Sequence, residues 1–549
     1  MTKLIPDRES LTVEFKSDRD RLPDRDLVAA VICLANSDGG DVFVGVEDDG
    51  TVTGLHAAHR NVAGVAAMIA NSTVPPLSVR VEALEVEGHS VAKITVPKSR
   101  QLVATSEGLL QRRRIKADGL PECVAFYPHE FARRQSDLGL VDYSALPVAA
   151  ATPEDFDPLE RERLRQAVER YGGDRSLLGL SDDELDGALG LVCFEEGRPR
   201  PTVAGLVLLG REAALRRHLP THEVAFQVLD GTDVRVNDFY RAPLLKTFER
   251  IEEQFNARVV ENEIEVDLFR VPVPNYDRRA FREALINALL HRDYTRLGAI
   301  HVQWTGEGIL ISNPGGFVEG VTLDNLLVVA PRPRNPLLAD AIKRIGLAER
   351  TGRGIDLIYQ GLLRYGRPAP DYSRTTPLTV TVLLSGAAAD IGLLRTIIAE
   401  EKRLRHALPV ESMIALALLR QERRADTTRL ARQIQRDEYA ARQVFERLVE
   451  AGLVQAHGAR KGRTYTLSPK IYQLTGETAA YVRQAGFDPI QQEQMVLQYA
   501  QSHGRITRKD AAALCQISED QASRLLRKLS SDKKLRPEGK GRGTSYALP

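Results

Sequence analysis

The chain has 549 residues, too many for one hydrophobic core, and length alone predicts about three or four domains. A net charge of +1 excludes a globally basic nucleic-acid binder and leaves local basic patches as the route to such binding. The absence of an apolar leader core, and of any run of about 18 apolar residues, excludes a membrane-spanning helix and predicts a cytoplasmic protein with no membrane partner. In chain order, 11–17 alternates: Leu11, Val13 and Phe15 on one side, Thr12, Glu14 and Lys16 on the other, a half-buried strand. Residues 27–36 read as a helix stopped by Gly39 and Gly40, and 41–55 as a hairpin turning at Asp49 and Gly50. A second helix is expected over 56–72, ending before Pro75, and two further hairpins turn near Gly88 and Gly108. Together these make a compact α+β domain over residues 1–135. Cys33, Cys123, Cys193 and Cys515 stand far apart with no zinc or redox spacing, so reduced, buried thiols are expected.

The pattern ES-x-x-VEFK, ANSDGG, VFVGVEDDG and a later arginine strand resembles the Schlafen AlbA-type domain across nearly all of residues 8–130. The resemblance implies nucleic-acid binding. In its RNA-cleaving branch three carboxylates carry a metal-dependent cut, and the matching positions are Glu9, Glu14 and Glu47 or Asp48. Three converging carboxylates suit a hard divalent cation. The alternative is that Glu14 pairs with Lys16 on a solvated face while Asp48 and Asp49 only form a turn. Of the consecutive Arg112, Arg113 and Arg114, alternation sends Arg112 and Arg114 to one face, a guanidinium pair suited to phosphates or to guarding an edge strand.

Residues 136–160 lack periodicity and read as a linker, and the middle domain is expected over 161–388. Residues 159–189 look helical with a break at Gly172-Gly173. TVAGLVLL, 202–209, reads as a buried strand, 224–229 as another, and 242–259 as an amphipathic helix. The segment FREALINALLHRDY then places Phe281, Ala284, Leu285, Ala288 and Leu289 on one buried helical stripe. Glu283 and Asn287, four apart, share a face. A carboxylate there can align a water for attack on a phosphate, and a carboxamide oxygen can hold magnesium. Strands over 299–304 and 308–312 run into Asn313-Pro314-Gly315-Gly316, and Gly352-Arg353-Gly354 opens an apolar helix over 355–363. Glycines at a helix start let backbone N–H groups approach phosphates. His291-Arg292-Asp293 lacks the asparagine and the DFG of a kinase and more simply braces the end of the preceding helix.

This order of helix, strand, strand, loop and glycine-led helix resembles the GHKL ATP-binding fold. REALINALLHRDY and ISNPGGF look more specifically like the RecG C-terminal-related ATPase domain, although no Walker loop occurs. The resemblance implies ATP and magnesium as ligands, with Glu283 as the water-orienting base and Asn287 as the metal ligand. Asn313 stands where most GHKL proteins carry the adenine-reading aspartate and is a weaker, neutral acceptor. Gly315, Gly352 and Gly354 match the phosphate and base loops, 317–350 would be the lid, and Arg334 or Arg353 would reach the terminal phosphate.

Residues 389–475 and 487–549 each read as three helices followed by a basic hairpin, the order of a winged helix-turn-helix. The wings correspond as GARKGRTYTL and GKGRGTSYAL. Gln521, Arg524 and Lys528 lie on one face of the second module's third helix and suit base edges. Arg460, Lys461, Arg463, Lys540 and Arg542 suit phosphates, while Tyr465 and Tyr546 read as core. The expectation is therefore a multidomain α+β protein binding DNA and ATP, a regulator in transcription control or defence against foreign DNA. Its rival is a Schlafen-like ribonuclease with a nucleotide sensor, which would make RNA the partner, and self-association into a homo-oligomer is plausible in either case.

Overall fold

The computed structural model describes residues 5–116, 119–266, 269–348, 352–458, 463–468, 471, 489–515, 517–538 and 544–549. It divides into two compact units, Met1–Val141 and Asp142–Pro549.

In the first unit, four strands lie in the order Val13–Lys16, Gly40–Val44, His89–Val96, Arg80–Val86. The first pair is parallel and the others antiparallel. The helix Asp24–Ala35 buries Leu27, Val31, Ile32 and Leu34 in the core it shares with Val42, Val44, Ile94 and Val96. Two expectations change here. The last hairpin pairs Gln111–Ile115 with Pro121–Ala125, so its turn lies beyond Gly108, near Gly119. Cys33 and Cys123, expected as free thiols, are joined in a disulfide with Cα atoms 5.9 Å apart. They stand 90 residues apart in sequence, and the packing of the Asp24–Ala35 helix on that hairpin brings them together, which spacing alone cannot reveal. Cys193 and Cys515 are free.

The second unit is built on a five-stranded sheet, Asp233–Tyr240, Val224–Asp230, Ile300–Trp304, Gly308–Pro314, Thr379–Ser385. The pair Val224–Asp230 and Ile300–Trp304 is parallel, the rest antiparallel. The helix Arg278–Leu290 lies in the core over this sheet, with Phe281 stacked on Phe255 at 3.9 Å between ring centroids. TVAGLVLL is helix Val203–Leu209, not the strand expected. Thr202 accepts a hydrogen bond from the Gly205 N–H and caps it, and a short, all-buried apolar run carries no periodicity to separate the two states. The expected linker is folded into the same core: Ala151 and Phe156 are buried, and Asp142 and Ser144 accept from the Leu337 and Leu338 N–H groups at the start of the helix Pro336–Ile345.

Beyond the sheet, helix Ile391–Leu404 precedes helices Val410–Glu422, Thr427–Ile434 and Glu438–Glu450 and the paired strands Val454–His457 and Thr464–Leu467. Their shared core includes Tyr465, stacked on Phe445. Helices Pro489–His503, Arg508–Cys515 and Glu519–Ser531, with strands Arg536–Glu538 and Ser545–Ala547, form a second core. Thr507 and Ser518 cap the second and third of these helices, as expected. Among the described residues no helix is long and apolar enough to cross a membrane.

Candidate functional site

The helix Arg278–Leu290 starts at Asp277, whose Oδ1 accepts from the Arg279 and Ala280 N–H groups. One flank carries the buried stripe. Glu283 is only 4% exposed, and Asn287 is half-buried one turn on. Both open onto a cavity of about 230 Å³. Segments far apart in sequence supply the rest of its wall: Asn313 at the end of strand Gly308–Pro314, the loop from Gly316 to Pro333, Lys343, and Gly352 and Gly354.

The glycines divide by role. A Cβ on Gly354, the first residue of helix Gly354–Leu363, would lie 3.1 Å from Glu283 Oε2. That helix start thus abuts the acid–amide pair, so its first backbone N–H groups, which no intrahelical carbonyl can pair, and its dipole favour an anion there. Gly352 (φ +78°) packs against Pro331, where a Cβ would meet Cγ at 2.4 Å. Gly315 (φ +102°) is not on the wall; its missing Cβ makes room for Asp293 Cβ at 2.7 Å, and the neighbouring Gly316 lines the cavity instead.

Asn313 is 4% exposed, and its Nδ2 has no hydrogen-bond partner among the described residues. An enclosed donor without an acceptor costs about 1–3 kcal/mol, so this wall is polar beyond its own needs. His291, expected only to brace the helix end, also lines the cavity. Although part of its surface is open, its imidazole is pushed down to about 4, first by burial and then by the charges of Arg334 and Lys343. Asp356 on the opposite wall is raised by burial and by Glu411, against the pull of Arg353 and Arg436.

Neither arginine expected at the phosphates lines this cavity. Arg334 is buried and donates from Nη2 to the Gly316 carbonyl at 2.9 Å, holding the loop. Arg353 is exposed at the N-cap of its helix. Among the described residues, the wall cations are Arg332 and Lys343. They lie inside the stretch expected as a lid, of which 336–345 is helix and 317–335 is irregular loop. The helix period of PLLADAIKRI was the signal that would have put Lys343 on one face. Glu349, Arg350 and Thr351 lie outside the described residues.

In the first unit Glu14 is buried and ion-paired to both Arg113 and Lys16. Glu9 Oε1 accepts from the Phe15 N–H at 2.8 Å, its carboxyl raised chiefly by burial. Glu47 accepts from Ser17 and Thr53, and Asp48 is exposed. Among the described residues no group of three His, Cys, Asp or Glu side chains could hold a metal ion, so Glu9, Glu14 and Asp48 are not gathered into a ligand set. Arg113 turns inward while Arg112 and Arg114 share the other face, as alternation requires, yet Arg112 is paired with Glu130 and Arg114 with Glu122.

Of the C-terminal candidates, Arg463 pairs with Glu446 and Lys528 with Glu493. Gln521 spends its Oε1 on the Ser518 N–H in the capping box, and Arg524 is exposed. Arg460, Lys461, Lys540 and Arg542 lie outside the described residues.

Residues 9–118 match the family model described as "Schlafen, AlbA_2", and residues 298–384 match "Putative ATP-dependent DNA helicase recG C-terminal". The second match takes in Asn313, the loop and Gly352 to Gly354 but begins after Glu283 and Asn287. Residues 131–225 match a domain of unknown function. No curated protein matches the chain. Among solved structures, the DIP2311 protein from Corynebacterium diphtheriae is 22% identical, with 98% of this chain and 95% of that chain covered and a TM-score of 0.50, a likeness of fold. The "N-terminal Domain of Putative ATP-dependent DNA Helicase RecG-related Protein" from Nitrosomonas europaea is 24% identical over 17% of this chain and 65% of that one, with a TM-score of 0.14. The chain thus joins a Schlafen AlbA_2 domain near its N-terminus to an ATPase-like domain of the RecG C-terminal type.

Proposed function

We propose that the cavity of the second unit binds ATP with magnesium and that this nucleotide governs DNA binding by the two C-terminal modules, read as winged helices. The protein would act as a regulator in transcription control or in defence against foreign DNA. One observation carries the reading: Glu283, Asn287, Asn313 and Gly354, drawn from three separate segments, converge on one cavity at a helix N-terminus.

The residues fit the nucleotide. The Asn313 amide, whose Nδ2 has no partner among the described residues, can pair with a purine edge, because a carboxamide offers both a donor and an acceptor. Phe317, Val321 and Leu326 supply apolar surface for a ring. Arg332, Lys343 and the start of helix Gly354–Leu363 supply the positive end that phosphates need. Asn287 would hold magnesium, which when bound would neutralise phosphate charge and polarise the terminal group. Glu283 takes a proton from water in the hydrolytic reading, its carboxylate shielded from bulk solvent. His291, neutral near pH 7, adds no competing positive charge.

The test is isothermal titration of the intact chain with ATP, with and without magnesium. Magnesium-dependent binding that Asn287→Ala weakens at least tenfold supports the site. Absence of heat with the wild-type chain sinks it. Glu283→Ala is expected to keep binding and to lose whatever hydrolysis the wild type performs.

A further inference from the structure

We infer that Gln435 is a positioning residue for the nucleotide site: from the first C-terminal module, its side-chain amide holds the loop of residues 317–335 closed over the cavity. This rests on the nucleotide reading above and specifies how the site is regulated.

The loop supplies Val318, Val321, Leu326, Leu327 and Val329 to the cavity wall. Gln435 ends the helix Thr427–Ile434 of that module, more than 100 residues further along the chain. Its Oε1 accepts from the Leu327 N–H at 2.6 Å, and its Nε2 donates to the Leu323 carbonyl at 2.6 Å. The amide is used at both ends, and the two backbone groups fix which end is which. A turn-forming loop has few other partners for these groups, so the bidentate contact sets its position.

Two further features join the module to the site. Leu327 both lines the cavity and packs against the module's core, and Tyr359 of the helix that begins at Gly354 packs against that core beside it. Asp356 of that same helix faces Arg436 and Glu411, which approach each other to 3.5 Å. Closure of the site is therefore a property of two domains. Gln435 itself stands at φ +56°, a left-handed helix-end conformation in which glycine is the usual residue. The side chain, not the backbone, favours glutamine here.

That conformation provides a clean variant. Gln435→Gly removes the clamp while relieving the backbone, which offsets part of the lost stability, so the module is expected to stay folded. In the full-length chain without nucleotide, hydrogen exchange at residues 323–329 should accelerate about tenfold, because both hydrogen bonds from Gln435 to this backbone are lost. Dissociation of a fluorescent ATP analogue, chased with excess ATP, should accelerate about tenfold as well. Gln435→Glu keeps the acceptor for Leu327 but loses the donor to Leu323, and both rates should fall between the other two chains. Unchanged exchange in folded Gln435→Gly overturns the inference, as does faster exchange with an unchanged dissociation rate. Should the wild type bind no nucleotide, the site reading fails on its own, and the exchange experiment still decides the clamp.

Discussion

Asn313 carries the sharpest residue-scale test, because its amide is enclosed and its Nδ2 unpartnered. Truncating it breaks no hydrogen bond to a described residue, so Asn313→Ala should leave the melting temperature near wild type while weakening ATP at least fivefold, about 1 kcal/mol. Asn313→Asp should bind ATP more tightly at neutral pH through a charge-assisted bond to the adenine amino group, and lose that gain as acid protonates the buried carboxyl. Titration of both variants across pH checks this. Glu14 makes the opposite prediction. With side-chain exposures of 8% for Glu14 and 1% for Arg113, Glu14→Ala leaves a buried guanidinium unpaired and should cost about 3 kcal/mol in denaturant unfolding of the first unit. The same substitution is the one that would have tested a nuclease, so any lost cleavage must be read against lost stability. His222 is wholly buried with Nε2 on the Ala242 carbonyl, and burial pushes its imidazole from 6.5 down to about 4. The unfolded chain binds the proton first as pH falls, so stability drops between about pH 6.5 and 4, and His222→Gln should flatten that slope. The acid–amide pair of the site was legible because helical spacing alone aligns positions four apart. Arg332 and Lys343 were not, since their approach to the cavity depends on how a loop and a helix fold back over it.

At the scale of the element, the helix start at Gly354 separates stability from binding. Alanine in a helix is favoured over glycine by about 1 kcal/mol, yet a Cβ here would stand 3.1 Å from Glu283 Oε2. Gly354→Ala should therefore leave the protein as stable or slightly more so in thermal unfolding, while weakening ATP binding at least tenfold. A parallel loss of both would mean the glycine serves packing and not a ligand. Elements with a clear period were readable: the helix Arg278–Leu290, the strands either side of Thr305 to Glu307, and the capped helices after Thr507 and Ser518. The helix Val203–Leu209 was misread because all seven of its residues are buried, which erases both the helical and the strand signature. The segment before it looked like a linker because short 3-10 turns, Tyr143–Ala145 and Pro153–Asp155, carry no periodicity although Phe156 is buried beside them.

For the whole molecule, sequence shows separate domains but not which of them share a core or an edge. The packing of Leu327 and Tyr359 on the core around Phe445 and Tyr465 illustrates this. Such shared packing makes a thermodynamic prediction. If the loop and the helix Gly354–Leu363 take up different arrangements with and without nucleotide, the module they touch must differ too, and ATP and DNA affinities become linked. Linkage is reciprocal: the factor by which magnesium-ATP changes DNA affinity must equal the factor by which DNA changes ATP affinity, typically about 5–150-fold. Gel shifts of the intact chain at fixed salt, with and without the nucleotide, give the first factor, and titration of ATP into chain with and without DNA gives the second. The salt must be held constant because phosphate contacts dominate the absolute affinity. Gln435→Gly should bring both factors toward one without abolishing either binding event, since it touches neither ligand. Two factors of one in the wild type, with both ligands bound, would leave two sites on one chain and no switch between them.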